Sequence, residues 1–165
     1  MKSKNFFVSV CVVLCISANA ANGVKAPTHC MPDEKVIFSC PFKNGKTASL
    51  CASPDLSKDI GTLQYRFGRV GKAPELSYPQ PAGHPSTYFW LDSSHGGPWA
   101  RYDFSFSMDR FRYSILIQTN SVIAENEASL SVFRDSHRVT DMECRFDSAI
   151  NNMWRLEELG IRQRP

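Results

Sequence analysis

Lys35-Val36-Ile37-Phe38-Ser39-Cys40-Pro41-Phe42-Lys43-Asn44-Gly45-Lys46-Thr47-Ala48-Ser49-Leu50-Cys51 is the stretch whose reading decides the fold. Two short runs of strand-forming residues flank an Asn-Gly pair. Both loop residues tolerate positive φ, so the pattern predicts a β-hairpin. With Asn44 and Gly45 as a two-residue loop, Lys43 faces Lys46 and Cys40 faces Ser49. Cys51 then lies diagonally from Cys40 on the same face.

Outward from this hairpin the chain keeps the same period. Residues 62–68 alternate apolar and polar, as a half-buried strand does. Residues 73–78 read as a returning partner and 79–85 as a Pro-rich break. Residues 87–91 read as a short aromatic strand and 92–99 as a loop. Tyr102, Phe104, Phe106 and Met108 share one face of the next strand, and Phe111, Tyr113, Ile115 and Ile117 share one face of the strand after it. Residues 128–133 and 139–146 form a last pair. Asp147 is placed to cap a short helix holding Ile150, Met153, Trp154 and Leu156, with Gly160 just past its end. The expectation is a mainly β protein, an antiparallel barrel or sandwich with a short C-terminal helix.

The chain divides into three parts. Residues 1–20, MKSKNFFVSVCVVLCISANA, read as a signal peptide: two lysines, a short apolar run and a small-x-small cleavage site at Ala18-Asn19-Ala20. Residues 21–34 read as an irregular N-terminal leader, and 35–165 as a single β-rich domain. Cleavage would remove Lys2 and Lys4 and no acid, taking the formal charge from +3 to +1. That balance argues against nucleic acid as a partner. No transmembrane segment is expected once the signal is removed. The compartment implied is the periplasm or the outside of the cell, where disulfides persist.

Four of the six cysteines follow the signal: Cys30, Cys40, Cys51 and Cys144. An even number in an exported chain implies two bridges. The two-residue hairpin favours Cys40–Cys51, leaving Cys30–Cys144. The rival is Cys40–Cys144, which would clip the first strand to the last. No C-x-x-C or H-x-x-x-H spacing points to a metal, and no cofactor motif is present.

Catalysis by serine needs a histidine within hydrogen-bond reach and a third group orienting it. Asp92-Ser93-Ser94-His95 gathers these residue types in one segment, but no Gly-x-Ser-x-Gly elbow is present. No catalytic residues are assigned and the chain is read as a non-enzyme. The aromatic density around the segment is the stronger signal. Trp90, His95, Trp99 and Tyr102 are the candidate binding residues, suited to stacking on a glycan or anchoring a partner protein. Alternation admits only one parity inside, either Tyr88 and Trp90 or Phe89 and Leu91.

The hairpin 38–51, the segment Leu63-Gln64-Tyr65-Arg66-Phe67-Gly68 and the strand pair ending at Met142-Glu143-Cys144 resemble a group of small exported β-proteins of Gram-negative bacteria. That resemblance implies export and a β-fold and carries over no catalytic residues. The early and late cysteines, as Cys40 and Cys144, are also similar to those of the periplasmic C-type lysozyme inhibitors, small antiparallel barrels. Their Ser-Gly-x-x-Tyr inhibitory loop is not found here; Ser94-His95-Gly96-Gly97 does not match it. The function expected is a disulfide-stabilised binding or inhibitory protein of the periplasm or cell envelope. Its partner would be an envelope protein, a lysozyme or a glycan. The competing expectations are an envelope-acting hydrolase using His84 or His95, and a structural accessory subunit.

Overall fold

A computed structural model describes residues 26–123, 125–161 and 163. The expected signal peptide and residues 21–25 of the leader lie outside these. β1 (Lys35–Pro41), β2 (Thr47–Ala52), β3 (Leu63–Gly68) and β4 (Leu76–Gly83) run as an antiparallel meander. One helical turn, α1 (Pro85–Tyr88), carries the chain to a second meander. This comprises β5 (Trp90–Gly96), β6 (Trp99–Met108), β7 (Phe111–Asn120), β8 (Asn126–Arg134) and β9 (His137–Glu143). A two-residue strand, β10 (Ile150–Asn151), returns beside β1. The result is two five-stranded antiparallel sheets, ordered β10-β1-β2-β3-β4 and β5-β6-β7-β8-β9. Of the two architectures expected, the sandwich is the one formed.

An aromatic cluster joins the sheets. The Phe106 ring stacks on Tyr78 at 4.6 Å and on Tyr113 at 4.7 Å, and lies 4.9 Å from Tyr65. Phe89 packs against Phe104 at 4.8 Å and meets Phe106 edge-on. The alternation of β6 and β7 does this, turning Phe104, Phe106, Ile115 and Ile117 inward. Phe89 and Leu91 take the inner parity, and Trp90 faces outward.

β2 is buried on both faces. Ala48, Leu50 and Ala52 face the second sheet. Thr47, Ser49 and Cys51 face the other way, under residues 26–34. Ser39 Oγ donates to the Pro27 carbonyl at 2.6 Å, and the His29 N–H donates to Ser49 Oγ at 3.1 Å. Arg66 grips both oxygens of Glu34, at 2.6 and 2.8 Å. These partners satisfy polar groups that would otherwise be buried unpaired.

The first hairpin differs from its sequence reading by one residue. The Phe42 N–H donates to the Lys46 carbonyl and the Gly45 N–H to the Phe42 carbonyl. The loop is therefore three residues, Lys43 to Gly45, with Gly45 at φ +76°. Cys40 pairs with Ala48, and Ser39 takes the place opposite Ser49. A one-residue slip turns a side chain to the opposite face. Cys40 points into the sandwich and Cys51 points out. The favoured pairing, Cys40–Cys51 with Cys30–Cys144, is thus corrected. The bridges are Cys30–Cys51 and Cys40–Cys144, with Cα–Cα distances of 5.1 and 5.5 Å.

The second bridge closes a seam. The Cys144 N–H donates to Ala128 of β8, and the Arg145 N–H donates to Pro41 of β1. Backbone and disulfide together sew one sheet to the other there.

Three other readings change. The Pro-rich break at 79–85 is mostly strand, because β4 is an edge and an edge tolerates missing donors. The aromatic strand at 87–91 divides between α1 and β5, and the loop at 92–99 is mostly hairpin. The C-terminal helix is a 3-10 turn at Phe146–Ser148 and a 3-10 helix at Met153–Leu159, with Ile150 in β10 between them. Met153, Leu156 and Leu159 recur every third residue, and the 3-10 period of three brings all of them to the buried side. Asp147 makes no cap, and Gly160 ends the segment at φ +65° as expected.

Candidate functional site

The four aromatic and histidine candidates sit on one hairpin but not on one face. Cross-strand partners share a face. Trp90 pairs with Ser105 and Trp99 with Gly96, both outward. His95 pairs with Ala100 and Tyr102 with Ser93, both inward. Tyr102 is buried. Trp90 is half-buried, whereas Trp99 is 46% exposed.

His95 is held by Glu157 of the C-terminal 3-10 helix, Nε2 to Oε1 at 2.7 Å, and its ring meets Tyr102 edge-on at 5.6 Å. Burial alone would raise the Glu157 pKa. Hydrogen bonds from His95 and Ser93, together with the charge on His95, outweigh it and hold the carboxyl below its ordinary value. Ser93 and His95 therefore bind the same carboxylate. A serine relay needs the histidine in the middle, not the acid. His84 has partners of its own, Ser86 Oγ at 2.8 Å and the Ser57 carbonyl at 3.1 Å. Among the described residues the two histidines share no hydrogen-bond partner. Among the described residues one trio of metal-ligand types converges, Cys30, Glu34 and Cys51, and its two sulfurs are the disulfide.

Three of the exposed apolar residues, Trp99, Val122 and Ile123, lie at the tip of the sheet. The β5–β6 turn is Gly97-Pro98, with Gly97 at φ +56°, the first central position of a tight hairpin. Beside it runs the β7–β8 turn. Asn120 is buried there, and its side-chain oxygen accepts the N–H groups of Val122 and Ile123 at 2.9 and 3.2 Å. That cap satisfies the turn backbone locally and leaves both side chains in solvent, 76% and 60% exposed. The Ser121 N–H donates to the Pro98 carbonyl at 3.0 Å and ties the two turns together. Trp99, Val122 and Ile123 are thus three large apolar side chains on two braced turns. Trp99 also borders a hollow of ≈ 350 Å³ with Ser94, His95, Gly96, Ala100, Arg101 and Gln118.

A larger hollow of ≈ 430 Å³ lies on the outer face of the second sheet, lined in part by Glu127, Asp141 and Glu143. Arg138 meets Asp141 at 3.2 Å and Lys43 meets Glu143 at 3.5 Å. Those exposed pairs spread charge across the rim and single out no ligand.

Val122 and Ile123 escaped the sequence reading. The available signal was two β-branched apolar residues directly after Asn120-Ser121. In a tight turn they have no inner face to occupy. Compared with known proteins, the chain matches no family model, no curated protein and no solved structure.

Proposed function

We propose that this chain is an exported, disulfide-stabilised, non-enzymatic binding protein of the periplasm or cell envelope that grips a protein partner with its paired hairpin tips. The observation that carries the reading is the exposure of Trp99, Val122 and Ile123 on turns locked by Asn120 and Ser121. Locked turns lose little freedom on binding, so the apolar area they bury is kept as affinity. Trp at the centre of a small apolar patch is the usual anchor of such contacts. A glycan is the weaker partner, since Val122 and Ile123 offer no ring on which a sugar could stack. Two disulfides suit an oxidising compartment. The likeness to lysozyme inhibitors makes lysozymes the first partners to try.

The test is capture from envelope extracts and from a panel of lysozymes, with lytic activity read alongside. Wild type is compared with the triple variant Trp99→Ala, Val122→Ser, Ile123→Ser. A partner retained by wild type and lost by the variant supports the tips. Equal capture by both proteins removes them from the argument. Export is checked separately by fusing residues 1–20 to a reporter enzyme that folds only outside the cytoplasm.

A further inference from the structure

Beside the C-terminal 3-10 helix lies a hollow of ≈ 320 Å³ that shares no lining residue with the tips. Its floor is aliphatic and buried: Ile37 of β1, Ala52 of β2 and Leu159. Leu56 and the exposed Trp154 form walls. Its rim is cationic, with Lys35, Lys58 and Arg155 against the single acid Glu158. Among the described residues none of these three cations is ion-paired to a carboxylate; Arg155 lies over the Trp154 ring at 4.7 Å.

The wall carrying Leu56 and Lys58 is a built feature. Ser53 holds Thr62 through two hydrogen bonds, its N–H to the Thr62 carbonyl and its Oγ from the Thr62 N–H. The Ser57 carbonyl is held by His84. Gly61 sits at φ +90°, and a Cβ there would come within 2.5 Å of the Leu56 backbone. The loop therefore closes tightly on itself.

We propose that this hollow binds a single-chain anionic amphiphile, its acid group on Lys35, Lys58 and Arg155 and its alkyl chain over Ile37, Leu56 and Leu159. Charge and shape both select this class. Cations with no carboxylate partner among the described residues attract an anion at the mouth, and lysine and arginine stems extend the apolar wall while their heads stay in water. The apolar part of the lining is aliphatic except for Trp154, and this favours an alkyl chain over a ring. The volume lies at the small end of ligand pockets, which limits the chain to a short one. The site does not depend on the tip proposal, because no tip residue lines it.

Decanoate is the probe, titrated calorimetrically into the disulfide-intact protein, with tryptophan fluorescence read in parallel. Decanoate is expected to bind and to shift the Trp154 emission. Acetate, inorganic phosphate and uncharged decyl glucoside are each expected to bind at least about tenfold more weakly. The double variant Lys35→Glu, Lys58→Glu alters only exposed side chains, so its melting temperature should stay close to wild type while decanoate affinity falls about tenfold or more. Trp154→Phe should silence the emission change and leave calorimetric binding within a few-fold. Acetate or phosphate matching decanoate would overturn the apolar half of the site. Decyl glucoside matching it, or full affinity in the double lysine variant, would overturn the cationic half. An emission change that persists in Trp154→Phe would place the ligand elsewhere.

Discussion

Removing each disulfide in turn, as the alanine pairs Cys40→Ala/Cys144→Ala and Cys30→Ala/Cys51→Ala, should cost unequal amounts. The bridges close chain segments of 104 and 21 residues. Loop-closure entropy then assigns about 4.8 kcal/mol to the long bridge and about 3.4 kcal/mol to the short one. The difference, about 1.4 kcal/mol, is firmer than either value because the constant term of the entropy expression cancels. For a chain of this size the losses correspond to about 15 °C and about 10 °C in Tm. The structure adds a difference in kind. Cys40–Cys144 sews one sheet to the other, so its loss should lower the melting of the whole sandwich. Cys30–Cys51 pins residues 26–34 to the outer face of β2, so its loss should also expose that segment to proteases while the sheets persist. Urea and thermal denaturation at neutral pH, with limited proteolysis of each pair, provide the readout. A short-bridge variant less stable than the long-bridge variant would refute the reasoning. So would a non-reducing peptide map that joins Cys40 to Cys51.

Three further outcomes are expected. Phe106→Ala should cost about 4 kcal/mol, because the ring stacks between Tyr78 and Tyr113 and no neighbour can fill the gap; a loss below about 1 kcal/mol in urea unfolding would show that the core collapses around it. Gly45→Ala should cost about 1 kcal/mol through the left-handed backbone alone, since the one close neighbour is the mobile end of Arg69; an unchanged midpoint would argue for a different loop. Glu157→Gln should show its effect on the acid side. The carboxyl is held below its ordinary 4.5, so its contribution is present above that value and fades as pH falls through the lowered one. The Tm gap between wild type and variant should therefore close on acidification, and a gap that widens there would contradict the His95 contact.

Much of the fold was legible from local chemistry. Asn44-Gly45 marked the first hairpin, and the alternation of two later strands placed Phe104, Phe106, Ile115 and Ile117 inside. The candidate site was legible only in part. Trp99 stood out as an aromatic in a Gly/Pro-rich stretch, but its partners Val122 and Ile123 come from another turn. Only the pairing of β6 with β7 brings them beside it. The amphiphile hollow is drawn from β1, β2, the loop after β2 and the C-terminal 3-10 helix, so no window of sequence contains it.

By itself the sequence determined most of the strands, the inward faces of β6 and β7, and the presence of six cysteines, four of them from residue 30 onward. Each of these depends on residues a few positions apart. Tertiary structure decided the rest. Sandwich rather than barrel, the partners of Cys40 and Cys51, and the 3-10 form of the C-terminal segment all depended on which face met what. The hairpin makes the physical reason plain. Two-residue and three-residue loops both accept Asn-Gly, yet they differ by one step of register, and one step turns every side chain over. Burying Leu50 and Ala48 against the second sheet chose the longer loop, and with it sent Cys40 to Cys144.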